Sequence, residues 1–234
     1  MFDMIKNILV DYDDTINDTR SIFASKFEGI FDLDGREVYH KFMRDIHMNI
    51  IHRKYPERHD DWEFQGKLLC EHLGLPYDQK KIDLLSKRFN EATRITLESP
   101  NLFSDAIEFL DGLVEAGLVL SLSSGNKSKE KAEVIKRVSG KYYFKYTLGS
   151  EIVGHDKIKP DYYKESLKII GASPQETLSI GDNLVIDIYP ASAVGIRTLW
   201  LNRWRENEPS NPGMKPDYEA TDLITALNII KNIV

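Results

Sequence analysis

The sequence predicts an α/β fold, a parallel sheet covered by helices on both faces, because three features coincide. Short, nearly continuous apolar runs at 5–10, 118–122, 143–148, 177–180 and 197–201 read as strands buried on both sides. From residue 97 onward such runs alternate with helical patterns, the signature of βαβ units. Each of the first four runs opens into a polar loop, and in open parallel sheets ligands bind at the carboxyl ends of strands.

The first run carries Ile8, Leu9 and Val10 consecutively and passes directly into Asp11, Tyr12, Asp13, Asp14 and Thr15. Between 17 and 96 no convincing strand is seen; Ile82, Leu85, Phe89 and Ala92 show helical spacing, and breaks at Asp34-Gly35, Pro56 and Gly74-Leu75-Pro76 divide the segment into four helices. A helix presenting Ile107, Leu110 and Val114 on one face stops at Gly117, a helix over 127–138 stops at Gly140, and one over 161–170 stops at Gly171. A short helix precedes Gly195, a final one starts at Asp222, and 205–215, rich in Asn, Glu, Pro and Gly, reads as a surface loop. The domains are therefore an α/β core formed by 1–16 and 97–234 and a helical insert of roughly 80 residues at 17–96.

With 234 residues, the chain has room for one large domain or a core plus a small insert, and 41% hydrophobic residues are enough for a packed interior. Thirty-one basic and 37 acidic side chains leave a net charge of −6, which argues against a nucleic-acid surface or a polybasic membrane anchor. The single cysteine, Cys70, forms no internal disulfide and supplies no zinc cluster. The first six residues carry an acid before any apolar run and lack a basic start, and no run of ~18 uncharged apolar residues follows, so neither a leader nor a membrane span is expected and the cytoplasm is the expected address.

Chemistry concentrates in the loops. Asp11 and Asp13, two apart at a strand end, point the same way into one crevice; read alone they form an acidic turn, but three carboxylates packed there repel unless a cation relieves them. The run from Ser121 to Asn126, with Ser123, Ser124 and Gly125, leads into a helix and offers backbone N–H groups to an anion, although the same residues make an ordinary N-cap. Lys159 precedes Pro160 and Asp161, which start a helix, and a lone lysine there is ordinarily solvated. Gly181 permits a tight turn, Asp182 projects from the strand end, and Asp187 follows about a helical turn later, placed to support it.

In this order Asp11-x-Asp13-x-Thr15, Ser123, Lys159-Pro160-Asp161 and Gly181-Asp182-x4-Asp187 resemble the four motifs of the haloacid dehalogenase-like (HAD) hydrolase superfamily, over 5–201. The insert between the first two motifs resembles the helical cap of subfamily I, and 195–202 resembles the usual last core strand. Asp14 stands where many members carry glycine. The resemblance implies a three-layer Rossmann-like core with an α-helical cap that closes over it, and a magnesium-dependent phosphatase acting on a small phosphate monoester. It makes Asp11 the nucleophile that forms an aspartyl-phosphate, and Asp13 the acid for the leaving alcohol and then the base for water. It assigns Mg2+ to Asp11, Asp182 and the backbone carbonyl of Asp13, with Asp187 supporting that shell, and the phosphoryl group to Ser123, Ser124, Gly125 and Lys159.

Dehalogenases of the superfamily lack an acid two residues after the nucleophile and need no magnesium, so Asp13 and Asp182 favour phosphate transfer over carbon–halogen cleavage. A phosphomutase of the β-phosphoglucomutase type uses the same core residues, and a non-catalytic phosphate-binding protein would have lost Asp11, Asp13 or Asp182, all present. The expected partner is a small-molecule phosphate ester, with no nucleic acid and no membrane; oligomeric state is not legible. Arg44, His47, His52, Arg53 and Lys54 are candidates for substrate contacts from the helical insert, although most read better as a solvated basic helix face; His40, His59, His72 and His155 show no metal spacing, and Trp62 and Phe64 read as core of the insert rather than as a stacking platform.

Overall fold

A computed structural model describes residues 4–205 and 215–234. The chain divides into two compact units, one formed by 1–17 with 102–234 and the other by 18–101. Among the described residues the first holds six parallel strands: β1 (Asn7–Val10), β2 (Val119–Ser123), β3 (Phe144–Leu148), β4 (Thr177–Gly181), β5 (Arg197–Leu201) and β6 (Tyr218–Ala220), in the order β3-β2-β1-β4-β5-β6. The first five follow the apolar runs of the sequence. The sixth, three residues on the sheet edge, is too short for any periodicity to mark it.

β1 is central because Ile8, Leu9 and Val10 are wholly buried and meet strands on both sides. Val10 is in register with Leu122 of β2 and Ile180 of β4. Strand order reverses at β1, so the loops that follow β1, β2 and β4 emerge together at the switch point where α/β sheets place ligands.

The helix at Ala106–Glu115 buries Ala106, Phe109, Leu110, Gly112 and Leu113, whereas Val114 is exposed; its inner face is offset from the Ile107/Leu110/Val114 stripe read from the sequence. Helix Ser128–Ser139 ends at Gly140 and helix Pro160–Ile170 at Gly171, both with positive φ (75° and 68°). The final helix, Leu223–Lys231, is capped by the Asp222 side chain accepting from Thr225 N–H.

The second unit is helical: Thr19–Phe27, a continuous run Gly35–Tyr39, His40–Ile51 and His52–Lys54, then Trp62–Leu73 and Gln79–Glu98. Its core gathers Phe23, Phe27, Phe42, Ile46, Leu69, Ile82 and Leu85. Trp62 stacks on Phe42 with centroids 5.5 Å apart and joins this core, as does Phe64. Cys70 is buried here. Among the described residues no helix is long and apolar enough to cross a membrane. The first three residues and nearly all of the 205–215 stretch read as a loop lie outside the described residues.

Candidate active site

The β1 ladder carries one residue past the strand, where Asp11 N–H donates to Ile180 O at 3.0 Å. This seats Asp11, 7% exposed, between the ends of β2 and β4. The loop then turns back: Asp14 adopts φ +59° and its N–H donates to Asn17 O at 2.7 Å. A left-handed residue explains why glycine suits this position and why aspartate, one of the few side chains at ease there, replaces it.

After β4 the chain turns at Gly181. A Cβ there would stand 2.3 Å from Asp187 Cγ and 2.4 Å from its Oδ2, so only glycine lets the Asp187 carboxylate fold back on the strand end. Asp187 Oδ2 accepts from Asn183 N–H at 3.0 Å. The peptide of Asp182 is fixed on both sides, its N–H donating to Thr15 Oγ1 at 3.1 Å and its carbonyl accepting from Trp200 Nε1 at 2.8 Å. One carboxylate oxygen each from Asp11, Asp182 and Asp187 lies within 4.8 Å of the others, all three residues buried.

Lys157 meets this cluster. Its Nζ lies 2.7 Å from Asp11 Oδ1 and 2.6 Å from Asp187 Oδ1, and donates to Ser123 O at 2.7 Å. Its side chain is 4% exposed, against 54% for Lys159, whose Nζ lies 3.6 Å from Asp156. The lysine expected at the site is therefore corrected from Lys159 to Lys157. The physical reason is local: Lys159 is the extended residue (φ −101°, ψ 140°) ahead of Pro160, on the outside of a turn closed by its N–H donating to Asp156 O, while Lys157 lies inside that turn. Burial raises the Asp11 carboxyl to about 7 against the lowering pull of Lys157. For Lys157 burial acts downward, but Asp11 and Asp187 overcome it and hold the ammonium well above its usual range.

Ser123 closes β2 with its hydroxyl 3.2 Å from Tyr162 Oη, which donates to Leu148 O at 2.6 Å. The Ser124 N–H, expected to face a phosphoryl oxygen, instead donates to Leu148 O at 2.8 Å, because the sheet ladder continues to that residue. The Ser124 hydroxyl accepts from Lys131 Nζ at 2.7 Å. Gly125 is exposed beyond it. Lys131 Nζ also lies 2.6 Å from Asp13 Oδ2, so the Asp13 side chain is directed at Lys131, and the third carboxylate of the trio is that of Asp187, expected from the sequence to support the shell.

Sequence reasoning missed Lys131 and Lys157. The first had a signal: Lys131, Val134 and Ile135 form the buried row of an amphipathic helix, an unusual place for a lysine. The structure also gathers His47, His52 and His59 in the helical unit, in contrast to the solvated face and absent metal spacing read from the sequence.

The carboxylate trio is an all-oxygen donor set of formal charge −3, with the buried Lys157 against it, a composition that fits a hard divalent ion. Residues 8–201 match the family model of haloacid dehalogenase-like hydrolases. The glyceraldehyde 3-phosphate phosphatase of Methanopyrus kandleri is 24% identical over 98% of this chain and 99% of its own, and that of Pyrococcus abyssi is 28% identical over 85% and 82%. The phosphoserine phosphatase of Thermus thermophilus is 29% identical over 52% of this chain and 48% of its own. Among solved structures, a magnesium-bound HAD hydrolase of Bacillus subtilis superposes with a TM-score of 0.72 at 22% identity, covering 97% of this chain and 99% of that one. An L-2-haloacid dehalogenase superposes with a TM-score of 0.71 at 20% identity, covering 98% and 100%.

Proposed function

The chain belongs to the haloacid dehalogenase-like hydrolases, and we propose that it is a magnesium-dependent phosphatase cleaving a small phosphate monoester through an aspartyl-phosphate on Asp11. The observation that carries this reading is the Asp11–Lys157 contact at the end of the central strand, with Asp182 and Asp187 beside it. Lys157 occupies Oδ1 of Asp11 and leaves Oδ2 to attack phosphorus.

As the bond from Asp11 to phosphorus forms, the bond to the leaving oxygen breaks, and that oxygen takes a proton from Asp13. Water then gives a proton to Asp13 and attacks the same phosphorus, restoring the Asp11 carboxylate and releasing inorganic phosphate. Lys157 neutralises negative charge at the nucleophile, Ser123 and Gly125 face the phosphoryl oxygens, and Lys131 orients Asp13. Magnesium, when bound by Asp11, Asp182 and the Asp13 carbonyl, would neutralise phosphoryl charge and align nucleophile with phosphorus. Asp187 is assigned to support of Lys157 and of the Gly181 turn. Positioning and charge must supply most of the acceleration, which for phosphate monoesters reaches ~10²¹.

The helical unit is read as the cap domain and the cytoplasm as the location. Glyceraldehyde 3-phosphate is the first substrate to try, because two phosphatases named for it match over 98% of the chain. The test is release of inorganic phosphate from glyceraldehyde 3-phosphate, phosphoserine, sugar phosphates and an aryl phosphate, with magnesium and with chelator, against Asp11→Asn. Magnesium-dependent release absent from the variant is expected. No release from any ester, with isomerisation of a sugar phosphate instead, would identify a mutase, and halide release from a 2-haloacid would overturn phosphate chemistry.

A further inference from the structure

The helical unit contains a second constellation that the proposed phosphatase chemistry does not use. One ring nitrogen each from His47, His52 and His59 lies within 4.8 Å of the others, and the three ring centroids stand 4.7 to 4.9 Å apart. His47 and His52 are five residues apart, which on an ordinary α-helix separates them by about 140°. Here His40–Ile51 winds more widely: the His52 N–H bonds to His47 O, and this i to i−5 turn sets one imidazole over the other. The His47 and His52 Nε2 atoms face each other at 3.3 Å. Two nitrogens on a tetrahedral zinc at about 2.0–2.1 Å stand about 3.3 Å apart, so this pair already has the required span.

Two of the rings carry on Nδ1 the kind of partner that metal-ligating histidines use. Gln65 Nε2 donates to His59 O at 2.6 Å, which turns Gln65 Oε1 toward His47 Nδ1 at 2.9 Å. His47 therefore donates from Nδ1 and presents a lone pair on Nε2, toward His52. His59 Nδ1 lies 3.2 Å from Asp60 Oδ1, a carboxylate–imidazole pairing that leaves Nε2 as the nitrogen with a lone pair. His47 is buried against Phe42 and Phe89, His52 is half-buried and His59 exposed, so the cluster opens to solvent on one side.

We propose that His47, His52 and His59 form a binding site for an imidazole-preferring divalent transition metal, zinc by geometry, with water at a fourth position on the solvent side. Bound there, the ion ties the wide helix His40–Ile51 to His59, the residue that closes the turn Pro56–Arg58, and, through Gln65, to helix Trp62–Leu73. Imidazole ligands distinguish this site from the all-oxygen carboxylate trio, which suits magnesium.

The test titrates Co2+ into chelator-stripped full-length protein prepared without a polyhistidine tag, reading the intense visible bands of tetrahedral cobalt, then displaces it with Zn2+. One equivalent per chain is expected in wild type and, unchanged, in Asp182→Asn. His59→Ala, at an exposed position, should weaken binding by about 100-fold or more, and Asp60→Asn by about 10-fold, with circular dichroism unchanged. Absence of tetrahedral bands in wild type, their persistence at wild-type affinity in His59→Ala, or their loss in Asp182→Asn would each overturn the proposal.

Discussion

Lys157 Nζ lies 2.7 Å from Asp11 Oδ1, and this contact joins a turn after β3 to the end of β1 across 146 residues of sequence. The same ammonium reaches Asp187 and the Ser123 carbonyl, so one side chain ties its own loop to the other three that meet at the strand ends. Removing it leaves two buried carboxylates without their cation.

The two lysines of this turn separate cleanly by mutation. Lys157→Met should lower kcat/KM by on the order of 10²–10³ and destabilise the fold by about 3–5 kcal/mol. Lys159→Met should leave both near wild type, because its side chain is half in solvent and its ion pair with Asp156 is a loose one at 3.6 Å. Equal loss in both variants, measured by phosphate release and thermal melting, would contradict this assignment.

Asp11→Asn should reduce turnover by on the order of 10⁴ or more while keeping the fold. It should also remove a pH dependence. The folded-state value of Asp11 is raised by burial from 3.8 to about 7, so the unfolded chain ionises first. Stability from this group is complete below about pH 4 and is lost as pH rises to about 7. Chelator-treated wild type should therefore show a decline across that window, relieved by added magnesium, that the Asn variant lacks in denaturant melts.

Gly181→Ala would place a methyl 2.3 Å from Asp187 Cγ, with Asp187 held by Lys157 and Asn183. The expected cost is about 1–3 kcal/mol together with lower activity as Asp187 is displaced. Unchanged melting and kinetics would show that the turn yields.

The buried tyrosines control the alkaline limit. Tyr162, raised by burial from 10.0 to about 12, stays protonated in the fold after the unfolded chain has ionised. Its contribution is complete below pH 10 and is lost as pH rises from 10 to about 12, roughly 2–3 kcal/mol in all. Tyr162→Phe should flatten this part of the stability profile, since Leu148 O keeps the Ser124 N–H as a partner. A stability profile between pH 10 and about 12 that is the same in Tyr162→Phe as in wild type would contradict it.

The sequence by itself determined the α/β class, the five main strands and the order of the loops, because apolar runs, Gly stops and Pro starts are local signals with a fixed period. It also picked out Asp11, Asp182, Asp187 and Ser123, since residues at the carboxyl ends of parallel strands converge whatever the details. Tertiary structure alone decided which lysine serves Asp11: Lys157 and Lys159 flank one isoleucine, and only the turn before Pro160 directs one inward and the other to solvent. It alone decided that the Ser124 N–H belongs to the sheet ladder and that Lys131 meets Asp13 across 118 residues. The three histidines were hidden for a related reason. A spacing of five residues places ligands together only where the helix widens, and helical periodicity assumes that it does not.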